Sequence, residues 1–108
     1  MKPEQFEELW MSQVAAEKAI LLERADAYAT SGDRLGNFKH GAVFLGCQPL
    51  TYGFGLVVKH IMALRDLINK IESGDGAFNH YEEAKFAEYV TDIRNYAVLL
   101  KALYQEAK

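Results

Sequence analysis

The stretch Glu83–Leu103, EAKFAEYVTDIRNYAVLLKAL, decides the fold of this chain. Its apolar residues recur at steps of three and four, which places them on one face of a helix. These residues are Phe86, Val90, Ile93, Ala97 and Leu100, and Tyr104 just after the stretch continues the pattern. Glu88, Asp92 and Asn95 recur at the same steps on a second face. Leu99 continues that stripe, and because a stripe meant only for water would rarely end in leucine, we expect this acidic face to be partly covered. The pattern therefore predicts a helix with a core face beside a sheltered acidic edge.

Helical patterns of the same kind occupy most of the remaining chain. One long helix, or two with a bend, is predicted over residues 3–30. A shorter helix follows over residues 34–45, where Asp33 is placed to cap its start and Gly46 to end it. Pro49 suits the first turn of a third helix. No stretch alternates with a period of two, so the predicted fold is all-α, a helical bundle of four to five helices.

Two glycines, Gly53 and Gly55, lie inside the third predicted helix. Each costs about 0.5–1 kcal/mol relative to alanine in a helix interior. Close packing against another helix would explain them, and so would a backbone that approaches a ligand. Close packing is the commoner reason, and both explanations stay open at this point.

The length and charge of the chain limit the number of domains it can form and the partners it can bind. Half of its 108 residues are apolar, which is enough for a single domain with one core. A helical domain this short also buries surface by assembling, and the heavy apolar content favours a dimer or a tetramer. The net charge of −3 comes from interspersed acidic and basic residues. We therefore expect no duplex nucleic acid as a partner, because that requires a broad basic face.

Cysteine usage and hydropathy predict the compartment. Cys47 is the one cysteine, so no intrachain disulfide can form, and a reducing compartment fits. No apolar run approaches the roughly 18 residues that span a membrane. The acidic start MKPEQFEELW lacks the layout of a secretory signal. We expect a cytoplasmic protein that has no membrane partner.

Glu88 and Asp92, one helical turn apart, form the first candidate site. Their carboxylates suit a divalent cation, and Mg²⁺ held there would bridge to substrate phosphates. Acidic pairs at this spacing also occur on many solvated helix faces, so the pair alone does not decide. Asn95 beside them suits a phosphate or a sugar, or a hydrogen bond to a neighbouring helix.

Lys59 and His60 follow the two glycines of the third predicted helix. The lysine is placed to neutralise phosphate, and the histidine to ligate a metal or donate a hydrogen bond. The alternative is a lysine that extends into solvent and a histidine satisfied within the protein. Asp66 lies two turns beyond Lys59 on the same stripe, either as a third carboxylate or as half of a surface ion pair.

Arg34 and Asn37 belong to a polar cluster at the start of the second predicted helix, together with Asp33 and Lys39. A helix N-terminus with basic side chains nearby is a candidate anion site. Capping by Asp33 explains part of the cluster without a ligand.

Three segments of the chain resemble small phage and prophage proteins of unassigned function. They are DRLGNFKHGAVFLG (33–46), QPLTYGFGLVVKHIMALRDLI (48–68) and EYVTDIRNYAVLLKAL (88–103). The resemblance covers roughly residues 20–105. The matching positions are Asp33, Arg34, Asn37, Phe38, Pro49, Lys59, His60, Asp66, Glu88, Asp92, Asn95 and Tyr96.

The last of these segments is also similar, more distantly, to the closing acidic motif of the MazG-like and dimeric dUTPase-like all-α nucleoside triphosphate pyrophosphohydrolases. Those proteins are helical bundles that assemble as dimers or tetramers, and magnesium held by acidic residues of two helices helps them split a nucleotide between its α- and β-phosphates. The resemblance implies Glu88 and Asp92 as metal ligands and catalytic residues. It divides the single all-α domain, residues 1–108, into an N-terminal helix (1–30) and a MazG-like bundle region (33–108).

One half of that family's metal site is not found in this sequence. The family carries Glu-x-x-Glu on the helix before the closing motif, where this chain offers Lys59, His60 and Asp66. A magnesium site would then be either incomplete or rebuilt with His60 and Asp66 beside Glu88 and Asp92.

The resemblance implies a phage-type MazG-like protein that acts on a nucleoside triphosphate, with a metal-activated water attacking phosphorus. Arg34 and Lys59 would neutralise the phosphates. Asn37, Asn95 and Tyr96 are the remaining substrate-binding candidates. The missing acidic pair leaves an alternative, a catalytically silent nucleotide-binding or protein-binding helical oligomer in phage replication or counter-defence. A purely structural adaptor is the third hypothesis, and a phage-encoded protein would work in the host cytoplasm.

Overall fold

The chain folds into α-helices throughout the part that the structure describes. The structure is a computed structural model, and it describes residues 1–23, 32–74 and 79–108. Four helices lie in these ranges: α1 (Pro3–Glu23), α2 (Gly36–Leu45), α3 (Pro49–Glu72) and α4 (His80–Ala107). The all-α prediction is confirmed. The end of the predicted first helix falls on residues 24–31, outside the described residues.

The helix boundaries follow from capping chemistry. Asn79 caps α4, because its Oδ1 accepts a hydrogen bond of 2.7 Å from the Glu82 backbone N–H. Gly46 ends α2 in the left-handed region at φ +70°, where glycine carries no Cβ penalty. Asp33 does not cap α2, contrary to the prediction. Its Oδ1 accepts from the Leu35 N–H at 3.0 Å, ahead of a helix that begins only at Gly36.

Helices α3 and α4 form an antiparallel hairpin. At one end the Lys70 ammonium lies 2.9 Å from the Glu82 carboxylate. At the other end Gly53 packs on α4, where an added Cβ would lie 3.0 Å from methyl carbons of both Leu100 and Leu103. Close helix packing is therefore the reason for Gly53. An added Cβ at Gly55 would meet nothing within 4 Å.

Helix α2 covers the open end of this hairpin. Phe38 is 5% exposed and forms a buried cluster with Leu35 and Leu103. The Gly41 backbone approaches the Tyr52 ring so closely that an added Cβ would lie 2.3 Å from Tyr52 Cζ. The glycine thus allows α2 to lie directly against α3.

Helix α1 runs along α4 in the same direction and is held by polar contacts. The Gln13 amide nitrogen donates to Thr91 Oγ1 at 2.8 Å, and Arg94 pairs with Glu17. No residue of α1 is buried. The attachment of α1 therefore depends on side-chain hydrogen bonds more than on apolar burial.

The buried face of α4 differs from the predicted one. Its buried residues are Glu82, Thr91, Asn95 and Leu103. The ends of the predicted core stripe are exposed, Phe86 by 38% and Tyr104 by 59%. That stripe is therefore not the core face along its whole length, because the polar stripe that carries Asn95 faces the rest of the protein instead.

Within the described residues, no helix taken singly is long and apolar enough to span a membrane. The pair α2 and α3 reaches that measure only when both are counted together across a bend of 95°.

Candidate functional site

A pocket opens where the end of α1, the start of α2 and the middle of the α3–α4 hairpin meet. Its cavity volume is about 70 Å³, and the empty space around it that is open to solvent brings the total to about 540 Å³. Its polar lining comes from two distant segments of the chain. These residues are Arg34, Asn37, Asp92, Asn95 and Tyr96. Five of the predicted site residues therefore meet in one place.

Helix α4 supplies the floor of this pocket through its polar stripe. Asp92, Asn95 and Leu99 recur at steps of three and four, so they share the face that turns toward the pocket. Asn95 is buried and the Asp92 side chain is 17% exposed. The predicted shelter of the acidic edge is confirmed at these two residues.

An aromatic wall closes one side of the pocket. The Phe38 ring meets Tyr52 edge-to-face at a centroid distance of 6.4 Å, and meets Tyr96 in the same way at 6.3 Å. All three rings line the pocket. Because edge-to-face pairs fix ring orientation, this wall is a preformed apolar surface.

His60 of α3 contacts two pocket residues of α4 from outside the pocket. Its ring stacks on Tyr96 at a centroid distance of 5.0 Å and an interplanar angle of 29°. Its Nδ1 lies 3.8 Å from Asp92 Oδ2, which is too long for a hydrogen bond but within the range of an ion pair when the imidazole is protonated. His60 thus touches two pocket residues without lining the pocket itself.

The charges of the pocket are balanced. Among the described residues, Arg34 is the one cation and Asp92 the one carboxylate in its lining. The exposed Asn37 marks the side that opens to solvent. The pocket thus offers a ligand a guanidinium, a carboxylate and two amides beside the aromatic wall.

A three-residue ion cluster anchors the turn that carries Arg34. Lys39 Nζ lies 2.6 Å from Asp33 Oδ2 and 2.7 Å from Glu106 Oε1 near the end of α4. The hydrogen bond from Lys39, with the Leu35 N–H adding to it, holds the pKa of Asp33 below its usual value. The hydrogen bonds to Asp33 and then Glu106 raise the pKa of Lys39. The turn is therefore tied to α4 at neutral pH.

Other predicted site residues lie outside the pocket. The Glu88 side chain is 54% exposed and lies 3.3 Å from Lys85 on its own helix, an interaction that raises the pKa of Lys85. The Asp66 side chain is 69% exposed and lies 3.1 Å from Arg65. Lys59 is exposed as well.

The predicted magnesium ligands are brought together only in part. Of Glu88, Asp92, Asp66 and His60, the structure places His60 and Asp92 side by side. Within residues 1–23, 32–74 and 79–108, no three His, Cys, Asp or Glu side chains group closely enough to hold a metal. Asp92 is the residue of the set that both lines the pocket and carries a charge suited to a cation.

Sequence reasoning missed the apolar contributions to the pocket. Tyr52, Leu56 and the α1 residues Ile20 and Leu21 all line it. No motif pointed to them, because their role depends on how α1 and α3 dock on α4. Phe38 belongs both to the buried core cluster and to the pocket wall.

Comparison of the whole chain with protein-family models, with curated proteins and with solved structures gives no match. The chain is thus defined by its all-α architecture and by its pocket.

Proposed function

We propose that this protein binds a nucleotide in the pocket between α1, α2, α3 and α4. One observation supports the proposal most strongly: a guanidinium, buried and exposed amides, and a preformed aromatic wall line the same pocket. Phosphate, sugar and base each require one of these groups. All three kinds of group line this one pocket.

Arg34 is the phosphate-binding residue in this proposal. A guanidinium presents a planar fork of donors that matches two phosphate oxygens at once. The Lys39 cluster holds the neighbouring Asp33 and thereby fixes the turn on which Arg34 lies. A phosphate held there would lie in the part of the pocket that Arg34 and Asn37 line.

The aromatic wall and Asn95 receive the base. Stacking of a base on an aromatic side chain contributes about 1–3 kcal/mol. Tyr96 is held in place by His60 on one side and by the edge of Phe38. The Asn95 amide offers both donors and an acceptor, which suits the hydrogen-bonding edge of a base.

A second candidate is a magnesium-dependent nucleoside triphosphate pyrophosphohydrolase, and Asp92 is the observation that favours it. Magnesium is commonly held by one or two carboxylates together with substrate phosphates. Asp92 faces the same pocket as Arg34. Glu88, one turn earlier on α4, would have to change rotamer to join it, and a metal-activated water would then attack phosphorus.

The test is a calorimetric titration with nucleoside mono-, di- and triphosphates in the presence of a chelator. We expect at least one to bind, and Arg34→Ala to weaken that binding by about tenfold or more. Arg65→Ala is the matched control, because Arg65 is an arginine with a side chain 58% exposed outside the pocket. If no nucleotide binds to the folded protein, the proposal is wrong.

The second candidate is tested separately by pyrophosphate release from the same panel with magnesium or manganese. Metal-dependent release that Asp92→Asn abolishes would establish the hydrolase. Binding without release leaves the protein a nucleotide-binding module.

A further inference from the structure

We propose that a second cavity, at the end of the hairpin where α3 leads into α4, binds a small organic ammonium ion with an apolar body. The residues that line this second cavity are Ile71 of α3 and Glu82, Glu83, Phe86 and Ala87 of α4. Glu82 precedes Asp92 by ten residues, which is about 15 Å along α4. The second cavity is therefore separate from the pocket that contains Asp92, and the proposal is independent of nucleotide binding.

Glu82 is the most unusual residue of the second cavity because its carboxylate is buried. It is 2% exposed and is the largest fully buried side chain among the described residues. Its Oε1 lies 2.9 Å from Lys70 Nζ. Its Oε2 is closed to solvent and accepts no hydrogen bond from any residue that the structure describes. A buried carboxylate normally has both oxygens satisfied, so this oxygen calls for a further donor.

Capping of α4 does not use the second oxygen of Glu82. The Asn79 side chain accepts from the Glu82 backbone N–H at 2.7 Å, which is one half of a capping box. In the complete motif the glutamate carboxylate would accept from the backbone N–H of the capping residue in return. Here Oε1 pairs with Lys70, and Oε2 has no partner within the described ranges. Helix capping therefore explains the backbone of Glu82 but not the position of its carboxylate.

The size and lining of the second cavity suit an organic ligand. Its volume is about 610 Å³, within the range of about 300–1,000 Å³ that small-molecule sites occupy. Ile71, Phe86 and Ala87 give it an apolar wall. Rotation about the last torsion of a glutamate is soft, so a small turn of the carboxylate presents Oε2 to the cavity. An ammonium group would then donate to Glu82 while the hydrocarbon part of the ligand covers the apolar wall.

The charges around the second cavity select a cation. Glu82 and Glu83 are the charged residues in its described lining, and both are acidic. Lys70 offsets one of these two charges, so a single positive charge on the ligand would make the site neutral. The negative end of the α3 dipole and the positive end of the α4 dipole lie together here, each about half an elementary charge, and they offset each other. The carboxylates therefore decide the sign of the ligand.

A metal ion and a water molecule fit the second cavity less well than an organic ammonium ion. Mg²⁺ requires about six oxygen ligands, and no three His, Cys, Asp or Glu side chains of the described residues group closely enough to hold a metal. A buried water needs about two to four polar partners, whereas most of this lining is apolar. An ammonium ion with a hydrocarbon body needs one charged acceptor and an apolar wall, and the cavity has both.

An NMR titration of the backbone amide signals tests the proposal, with phenethylammonium as the probe and phenethyl alcohol as its uncharged counterpart. We expect the ammonium ion to bind about tenfold or more tightly than the alcohol, because a hydrogen bond to a charged group contributes about that factor. The signals of residues 82–87 should shift, and that of Asn95 in the pocket should not. Equal affinity for the two probes, or shifts confined to the pocket, would overturn the proposal.

Glu82→Gln removes the charge and nearly keeps the shape of the side chain. We expect it to weaken binding of phenethylammonium by about tenfold or more. Glu88→Gln is the matched control, because the Glu88 side chain is 54% exposed on the same helix and does not line the second cavity. It should bind the probe as the wild type does. If Glu82→Gln binds as tightly as Glu88→Gln, the buried carboxylate is not the acceptor and the proposal is wrong.

Ala87→Phe tests the cavity itself and does not depend on a variant of Glu82 folding. The added ring should occupy the cavity and weaken binding of phenethylammonium by about tenfold or more. Ala84→Phe, at an exposed alanine of α4 that does not line the cavity, is its control and should leave binding unchanged. Circular dichroism checks that each variant keeps its helices. A folded wild type that does not bind the probe, or equal binding by the two phenylalanine variants, would contradict the proposal.

Discussion

His60 on α3 lies behind Asp92 on α4, with its Nδ1 3.8 Å from Asp92 Oδ2, while its ring stacks on Tyr96 one turn further along. One residue outside the pocket thus contacts both the carboxylate and an aromatic ring inside it. The surroundings of the Asp92 carboxylate therefore come from both α3 and α4, and a ligand that binds this carboxylate depends on both helices. The hairpin contact itself arranges this part of the pocket.

Asp92→Asn should separate a ligand-binding role from a structural one. The amide has the same shape, so we expect the unliganded melting temperature to change by less than about 4 °C, which corresponds to under 1 kcal/mol. The hydrolase proposal predicts that magnesium adds stabilisation in the presence of nucleotide, and that this addition disappears in the variant because the carboxylate is lost. The measurement is a thermal shift with nucleotide, with and without magnesium. An equal drop with and without metal would instead make Asp92 a structural partner of its neighbours.

Gly53→Ala and Gly55→Ala form a matched pair two residues apart on α3. Gly55→Ala should stabilise the protein by about 0.5–1 kcal/mol, since it adds helix propensity where an added Cβ meets nothing within 4 Å. Gly53→Ala should destabilise it by about 1 kcal/mol, because methyl groups of Leu100 and Leu103 must both move. Urea unfolding measures both. Equal stabilisation by the two alanines would mean that the side chains of Leu100 and Leu103 move away from residue 53 at no cost in free energy.

The Lys39 cluster should give the stability of the protein a defined pH dependence. Because the folded state lowers the pKa of Asp33 below 3.8, the stabilisation is present above about pH 4 and is lost as the pH falls through the folded-state pKa. The raised pKa of Lys39 has the opposite sign: its contribution is present below pH 10.5 and is lost as the pH rises through the folded-state pKa above that value.

Lys39→Met tests this dependence through urea midpoints measured across pH. The variant should be less stable than the wild type at pH 7, and the difference should shrink in acid below about pH 4. Lys18→Met, a change at an exposed lysine of α1, is the control and should keep the dependence of the wild type. A difference that stays constant from pH 7 to strong acid would show that neither Asp33 nor Glu106 supplies the stabilisation that Lys39 gives.

Helix α1 should exchange its amide hydrogens faster than α3 and α4. None of its residues is buried, and the polar contacts that join it to α4 are the Gln13–Thr91 hydrogen bond and the Glu17–Arg94 pair. Few buried apolar contacts mean a low free energy of local opening. Hydrogen exchange followed by mass spectrometry on the wild type and on Arg94→Ala measures this, and the variant should raise exchange in α1 alone. Uniform protection of all four helices would contradict it.

Much of the fold follows from the sequence because helix periodicity and capping are local. The start of α4 near Asn79, the proline that opens α3 and the glycine that ends α2 all lie where local chemistry places them. The polar pocket residues were also predicted, since Arg34 and Asn95 stand out as charged or amide groups beside apolar stripes.

The rest depends on how helices rotate against one another, which periodicity does not contain. Periodicity shows that Phe86 and Tyr104 share one face of α4. It does not show that this face is exposed while Asn95 is buried. For the same reason Glu88 and Asp66 fit a metal site in sequence and yet lie apart on exposed surfaces.

The polar attachment of α1 also bears on kinetics. Ile20 and Leu21 give the pocket a wall that belongs to this helix, whereas the opposite wall belongs to the hairpin core. Because α1 has no buried residue, we expect this side to open more readily than the hairpin core. The residence time of a ligand in the pocket would then depend on how often α1 detaches. A substitution at Gln13 or Glu17 would therefore change the dissociation rate of the ligand without altering any contact on the floor of the pocket.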